Sequence, residues 1–270
     1  MKKIGLIAGT GDLPKIIALE ARKQGYIVSA IALEPLADKT LSSFVDEIEW
    51  VNVGKFGKII KTLKKLSIKE VVMAGKVSKS LLYYKSKIIP DLRAIKFISS
   101  LKDRSDDSIL SAVADEMGKE GIKLLNILSF SLDLLTPEGV LTRKSPTKYE
   151  WLDITFGWRI AKEIGKLDIG QTVVVKDQAV MAVEAIEGTD ETIRRGGKLA
   201  GKGAVIVKVS KPDQDMRFDI PVVGLDTLKT MIEVEASVLA AEVGKSIILN
   251  KERVIEESDK AGIILVGYKE

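Results

Sequence analysis

The chain of 270 residues contains no cysteine and no histidine. Without cysteine there is no thiol nucleophile and no disulfide, and the loss of both residue types removes soft-metal sites and any Ser-His-Asp triad. General acid–base chemistry then falls to carboxylates, lysines or water. A catalytic metal has to be held by oxygen, which favours Mg²⁺ or Mn²⁺ over zinc. Aromatic residues make up only 5% of the chain. No window reaches the roughly 18 uninterrupted apolar residues that span a bilayer. Met1-Lys2-Lys3 runs into an apolar stretch with no cleavage site, so a cytoplasmic location is expected. A dense basic stripe is also missing: the net charge is +4 and the basic residues are scattered, which points away from nucleic acid and toward small anionic ligands.

What is present suits an α/β protein, with 46% hydrophobic and 30% charged residues. The length is that at which one core usually gives way to two. The first half alternates: a strand over Lys3 to Ala8, a helix over Leu13 to Gln24 ending at Gly25, and a strand over Tyr26 to Leu33 form a βαβ unit. A helix over Gly57 to Leu66 and a strand over Glu70 to Ala74 continue the pattern, and Ser105 to Glu120 reads as an amphipathic helix. The stretch SLDLLTPEGVLTRKSPT, Ser131 to Thr147, carries two prolines and turn residues and marks the domain boundary. Beyond it we expect a helix from Lys148 to Ile164 and a hairpin of Thr172 to Val175 and Val180 to Ile186 around Lys176-Asp177-Gln178. A helix from Asp190, a strand from Ala204 to Val209, a helix from Asp226 to Glu242 and β runs at Ser246 to Leu249 and Ile263 to Val266 complete the reading. The fold class is therefore α/β, with a Rossmann-like parallel sheet first and a mixed sheet second.

Gly9 and Gly11 lie between a strand and a helix, where glycines bring a phosphate close to a helix N-terminus. A full dinucleotide fingerprint asks for a third glycine at position 14, and the chain has Pro14, which is comfortable at a helix start but poor as a dinucleotide clamp. A plain turn without ligand is the alternative. Gly75 and Lys76 in AGKVSK repeat the strand-end glycine followed by a cation.

The densest polar run is VKVSKPDQDMRFDIPVVGLDT, with Lys208, Lys211, Asp213, Asp215, Arg217, Asp219 and Asp226. Loops leaving strand carboxyl ends are where open α/β sheets bind ligands. Carboxylates there hold a metal or orient water, and cations neutralise phosphate oxygens. In an extended loop Asp215, Arg217 and Asp219 point the same way. A solvated, self-paired turn is the alternative. In EAIEGTDETIRRGG, Gly188 and Thr189 turn the chain into a helix bearing Arg194 and Arg195, an anion cradle beside two cations, or simply a cap by Thr189 or Asp190. Asp106 and Asp107 open a helix, where capping is the ordinary role, although they could also reach a sugar or base.

Five runs, GLIAGTGDLP, AGKVSK, DDSILSAVADEMGKEGIKLL, GQTVVVKDQAVMAVEAIEGTDETIRRGG and KPDQDMRFDIPVVGLDT, occur in the order seen in the LpxI-type UDP-2,3-diacylglucosamine pyrophosphatases of lipid A biosynthesis, and the chain resembles that family over most of its length. The resemblance implies a nucleotide-binding domain over 1–134, a catalytic α/β domain over 135–270 and an active site in the cleft between them. It implies Mg²⁺-assisted hydrolysis of UDP-2,3-diacylglucosamine to UMP and 2,3-diacylglucosamine 1-phosphate. The matching motif offers Asp215 and Asp219 as catalytic and metal-holding carboxylates, with Arg217 between them. Substrate contacts are expected from Gly9, Thr10, Gly11 and Leu13 in the first run, Gly75 and Lys76 in the second and Asp107 in the third. The fourth run offers Lys176, Gly188, Thr189, Asp190 and Arg194, and the fifth Lys211 and Gln214. The implied partner is the lipid-linked UDP-sugar, with peripheral contact at the inner membrane and a homodimer as further expectations. Leucine-proline is the family's own pattern at positions 13 and 14, so Pro14 is no failed glycine.

The residues alone leave two other functions open. A nicotinamide oxidoreductase would use Glu34, about 20 residues beyond the glycine loop, on a ribose. A non-catalytic nucleotide-sugar-binding module would need no acid or base. SLLYYKSKIIPDL, with Leu81, Leu82, Tyr83 and Tyr84 among lysines, reads either as core or as a contact for acyl chains or an anionic membrane face.

Overall fold

The computed structural model describes residues 2–77, 88–101, 106–212, 217 and 220–270. Its described residues fall into two compact units, one of residues up to 132 together with Arg217 and the other of residues 133–212 and 220–270.

In the first unit, strands β1 (Lys2–Ala8), β2 (Tyr26–Glu34), β3 (Glu47–Asn52), β4 (Glu70–Ala74) and β5 (Lys123–Leu124) form one sheet in the order β3-β2-β1-β4-β5. Every pairing is parallel. Parallel strands are covered on both faces, which is why β1 is buried from Ile4 to Ala8 and β2 from Val28 to Leu33, all apolar except Ser29, whose hydroxyl donates to Glu47 at 2.7 Å. Helices α1 (Leu13–Lys23), α2 (Phe56–Lys65), α3 (Leu92–Ser100) and α4 (Asp106–Lys119) provide that cover. α1 buries Leu13, Ile17 and Ala21, a four-residue spacing that keeps one stripe on the sheet. The chain winds outward from β1 to β3 and then passes back across β1 to reach β4. The topological switch point therefore lies between β1 and β4, where such sheets take their ligands.

β3 and α3 were not expected from the sequence. β3 is an edge strand in which Glu47 and Glu49 alternate with Ile48 and Trp50, so it lacks the apolar run of its neighbours. α3 has Ala94 as its one buried residue, and its larger apolar residues Leu92, Ile95 and Ile98 are exposed.

In the second unit the strands are β6 (Gly139–Val140), β7 (Thr172–Lys176), β8 (Ala179–Val183), β9 (Val205–Lys208), β10 (Val222–Val223), β11 (Val238–Glu242), β12 (Ile247–Ile248) and β13 (Ile264–Tyr268). Six of them form a mixed sheet in the order β6-β13-β11-β9-β7-β8, and β10 pairs with β12 separately. β13, β11 and β9 are parallel, whereas β6, β7 and β8 run against their neighbours. The expected hairpin is β7–β8. Asp177 and Gln178 both have φ above zero (50° and 56°), as a two-residue hairpin turn requires, and the Asp153 carboxylate accepts both of their N–H groups at 3.1 and 2.6 Å.

Helices α5 (Lys148–Lys166), α6 (Thr189–Ala200), α7 (Leu225–Glu233) and α8 (Lys251–Ala261) complete the unit. The alternation of strand side chains separates its two cores. Val173, Val175, Val205 and Val207 pack with Ile154, Trp158 and Ala161 of α5. Val174 and Ile206 pack with Ile193 of α6 and with Leu228 and Met231 of α7. A Cβ on Gly157 would lie 2.8 Å from Val207, so the α5 glycine sets how closely that helix approaches.

The helix expected from Asp226 to Glu242 is a correction. It stops at Glu233, Glu235 turns the chain with φ 50°, and Val238–Glu242 is the fully buried strand β11. Ala, Leu and Glu favour a helix. Here β9 and β13 flank the segment in register on both sides, and burial on both faces outweighs that preference.

Candidate active-site residues

At the switch point of the first unit, two loops that are far apart in sequence cross. Gly9 N–H donates to the Ala74 carbonyl at 2.8 Å, and Thr10 and Lys76 exchange both backbone hydrogen bonds at 3.0 and 2.9 Å. The crossing is tight. A Cβ on Gly9 would stand 2.6 Å from the Lys76 carbonyl oxygen, and one on Gly75 would stand 2.7 Å from the Thr10 oxygen and 3.0 Å from Pro14 Cγ. Gly75 also has φ +90°, so it needs glycine twice over. Pro14 thus packs where the two loops meet, and the close approach is made by Gly9 on Gly75 without a third glycine.

Two donors of the glycine loop, Gly9 and Thr10, are therefore committed to the fold. Among the described residues, the N–H groups of Gly11, Asp12 and Leu13 have no backbone acceptor and stand at the positive end of α1. Gly11 has φ +100° and open space around its Cβ position. Beside them the Lys15 ammonium bonds Asp38 at 2.7 Å and Asp12 at 3.2 Å. The hydrogen bond from Lys15 holds the Asp38 carboxyl at about 2, well below the usual carboxylate range, helped by the Thr40 N–H. The Thr10 hydroxyl donates to the Leu36 carbonyl at 3.3 Å, tying the loop after β2 to the same end of the sheet. Lys76 is exposed there. Gly9, Thr10, Gly11, Leu13, Gly75 and Lys76 are thus gathered at one sheet end. Asp107 lies in α4, and its side chain is outside the described residues.

In the second unit, the chain leaves β9 through Lys208, Val209, Ser210 and Lys211, all buried. A buried ammonium is tolerated only when paired and hydrogen-bonded. Lys208, 3% exposed, donates to the Thr189 hydroxyl at 2.9 Å and to the Val222 carbonyl at 3.0 Å. Thr189 in turn donates to Glu184 Oε1 at 2.9 Å. The end of β8, the first residue of α6 and the end of β9 are thus joined by one buried chain of polar contacts. Gly188 caps α6 with φ 85°, and Glu184 places its negative charge near the helix N-terminus, where the dipole favours it.

Lys211 pairs with Asp168. Ser210 is fixed on both sides of its backbone: its N–H donates to Glu242 Oε2 at 2.7 Å, and its carbonyl accepts from Lys162 at 3.0 Å. Lys162 also bonds that Glu242 oxygen at 2.5 Å. These contacts anchor the root of the segment from which Gln214, Asp215, Arg217 and Asp219 follow. Gln214, Asp215 and Asp219 lie outside the described residues, as do Asp213, Leu81, Leu82, Tyr83 and Tyr84. Arg217 is half-buried and engaged in an interaction of its own.

Of the other expected residues, Asp190 accepts from the Thr227 hydroxyl at 3.3 Å. Arg194 is spent on carboxylates, bonding Glu233 at 3.0 Å and Glu191 at 2.5 Å, and Arg195 is paired with Glu187 at 2.6 Å. Lys176 donates to the Lys202 carbonyl at 2.9 Å, just beyond the C-terminal end of α6, and so sits at the opposite end of that helix from Gly188 and Thr189. Glu184, Lys162, Asp168 and Glu242 were not read as site residues from the sequence. The available signal was a lysine ending the apolar strand run AVIVK, whose burial demands partners. Glu242 was hidden by the mistaken helix.

Comparison with known families covers nearly the whole chain. The LpxI N-terminal domain model matches residues 3–134 and the LpxI C-terminal domain model residues 137–266. A relative from Caulobacter vibrioides, described as UDP-2,3-diacylglucosamine pyrophosphatase LpxI, is 34% identical over 99% of this chain and 98% of its own length. A bifunctional purine biosynthesis protein PurH from an Anaeromyxobacter species is 27% identical over 47% of this chain and 22% of its own. A solved glycinamide-RNase-transformylase T from Mycobacterium tuberculosis covers 68% of this chain and 44% of its own, at 12% identity and a TM-score of 0.26, a likeness too slight to bear on fold or function. On two domain models and a full-length relative, the chain belongs to the LpxI family.

Proposed function

We propose that the protein hydrolyses the pyrophosphate of UDP-2,3-diacylglucosamine, a step of lipid A biosynthesis, releasing UMP and 2,3-diacylglucosamine 1-phosphate. The observation that carries this reading is the unbroken match to the LpxI family at both domains. The geometry of the first unit supports it: a loop crossing at the switch point leaves the N–H groups of Gly11, Asp12 and Leu13 and the Lys76 ammonium for a diphosphate. The first unit is thus assigned the nucleotide, and the 213–219 segment the reaction.

Among the described residues no three Asp or Glu side chains are grouped to hold a metal ion. The Mg²⁺ proposal therefore rests on the carboxylates of Asp215 and Asp219 and on a chain that offers oxygen ligands in place of sulfur or imidazole. When bound there, the cation would neutralise diphosphate oxygens. One carboxylate of the pair accepts a proton from the attacking water while Arg217 faces the phosphate charge. The water oxygen ends on one phosphate, the bridging oxygen stays with the other, and one proton is released.

The test is to incubate the purified protein with the diacylated UDP-sugar and follow UMP, with and without EDTA. UMP should appear, stop with EDTA and return with Mg²⁺. Asp215→Ala or Asp219→Ala should stop it while UMP binding persists. Undiminished release in EDTA removes the metal. Tight UDP binding with no hydrolysis would make the chain a binding module, and NAD(H) binding by fluorescence would favour the oxidoreductase.

A further inference from the structure

The outer layer of the first unit carries a surface that the site does not use. α2 and α3 bury their inner faces in the same core: Phe56, Ile59, Ile60 and Leu63 from one, Ala94 and Phe97 from the other. Their rings meet at Phe56 and Phe97, 5.1 Å apart. The Lys58 N–H donates to the Asp91 cap of α3 at 3.2 Å, so the helices lie side by side and their outer faces are neighbours.

Those outer faces have unlike chemistry. On α3, Leu92, Ile95 and Ile98 repeat every third residue and are 80%, 51% and 41% exposed, and Ile89 just before the helix is 61% exposed. Each could have been polar at no cost to the core, and a stripe of four large apolar residues on one short surface is a docking signal. On α2 the exposed residues are Lys58, Lys61, Lys64 and Lys65, and Lys96 on α3 adds a fifth. Of these only Lys64 is paired with a carboxylate, that of Glu120, among the described residues.

We propose that this face docks the protein on an anionic lipid surface, with Ile89, Leu92, Ile95 and Ile98 entering the headgroup boundary and the α2 lysines against its charge. Charge complementarity selects that occupant. Among the described residues no helix is long and apolar enough to cross a membrane, so the contact is peripheral. The inference rests on the hydrolase reading for its setting, a substrate held in a lipid layer, and on the two helices for its chemistry.

Co-sedimentation tests it with vesicles of phosphatidylcholine alone and of phosphatidylcholine mixed with phosphatidylglycerol. The full chain should sediment with the mixed vesicles and be released by salt. Leu92→Ser with Ile95→Ser should weaken partitioning by about a hundredfold, roughly tenfold for each partly buried side chain. Lys61→Ala should weaken it about fivefold. Because these side chains are exposed, the variants should keep the wild-type melting temperature and wild-type hydrolysis of substrate dispersed in detergent. Wild-type protein left in the supernatant at low salt, or a double serine variant that binds like wild type, overturns the inference. So does a dimer in sedimentation equilibrium that the double serine variant abolishes, which would make the face a contact between copies. Vesicle binding without any hydrolysis in detergent would leave this face standing and remove the hydrolase reading.

Discussion

Three glycines of the switch-point loops separate two costs that coincide at Gly75. Gly11→Ala places a side chain at φ +100° with nothing within 4 Å, so it meets only the backbone penalty, about 1 kcal/mol. Gly9→Ala has no positive φ, but its Cβ would lie 2.6 Å from the Lys76 carbonyl oxygen. Neither loop backbone can swing aside without stretching the three hydrogen bonds from Gly9 to Ala74 and between Thr10 and Lys76, together worth about 3 kcal/mol, and losing most of that gives a cost of about 2 kcal/mol. Gly75→Ala meets both penalties, with φ +90° and the Thr10 oxygen at 2.7 Å, and should cost about 3 kcal/mol. Urea unfolding followed by circular dichroism measures the series, and in a unit of this size each kcal/mol corresponds to about 4 °C of melting temperature. A UMP titration of the same variants reports whether displacement of the loops reaches the ligand: Gly9→Ala and Gly75→Ala should weaken UMP more than Gly11→Ala does. If Gly9→Ala is as mild as Gly11→Ala, the loops do not cross as described and the gathering of Thr10 and Lys76 loses its basis.

Lys208→Met removes the cation that holds Thr189 and leaves Glu184 buried beside an apolar side chain; thermal unfolding should show a loss of about 3 kcal/mol, and a loss under 1 kcal/mol would mean Glu184 is solvated. Asp38 should titrate near 2 when its carboxyl carbon is followed by NMR, and Lys15→Met should return it toward 3.8. Because folding depresses this carboxyl, its contribution to stability is complete above 3.8 and is lost as the pH falls toward 2. An Asp38 titration unmoved by Lys15→Met would show that the pair does not form in solution.

The βαβ start, the glycine loop and the β7–β8 hairpin were legible because their signals are local. An apolar run of strand length, a proline at a helix start and two polar turn residues between β runs each act within a few residues. Segment 226–242 shows the limit of that reasoning: its Ala, Leu and Glu residues describe a helix equally well, and only the neighbours on either side make its last five residues a strand.

The site divides in the same way. The sequence by itself determined the available chemistry: no thiol or imidazole, carboxylates, lysines and hydroxyls as the reactive groups, a glycine loop before a helix and a lysine–aspartate run after a strand. It could also carry family membership, since long motifs in fixed order survive without any knowledge of contacts. Only the tertiary structure decided that Gly9 meets Gly75, that Thr189 stands between Glu184 and Lys208, that Lys162 and Glu242 share Ser210, and that Lys176 sits at the far end of α6. Those pairings join residues up to 80 positions apart. Their energies come from burial and desolvation, which no single stretch of sequence carries and which exist only once the sheets bring the strand ends together.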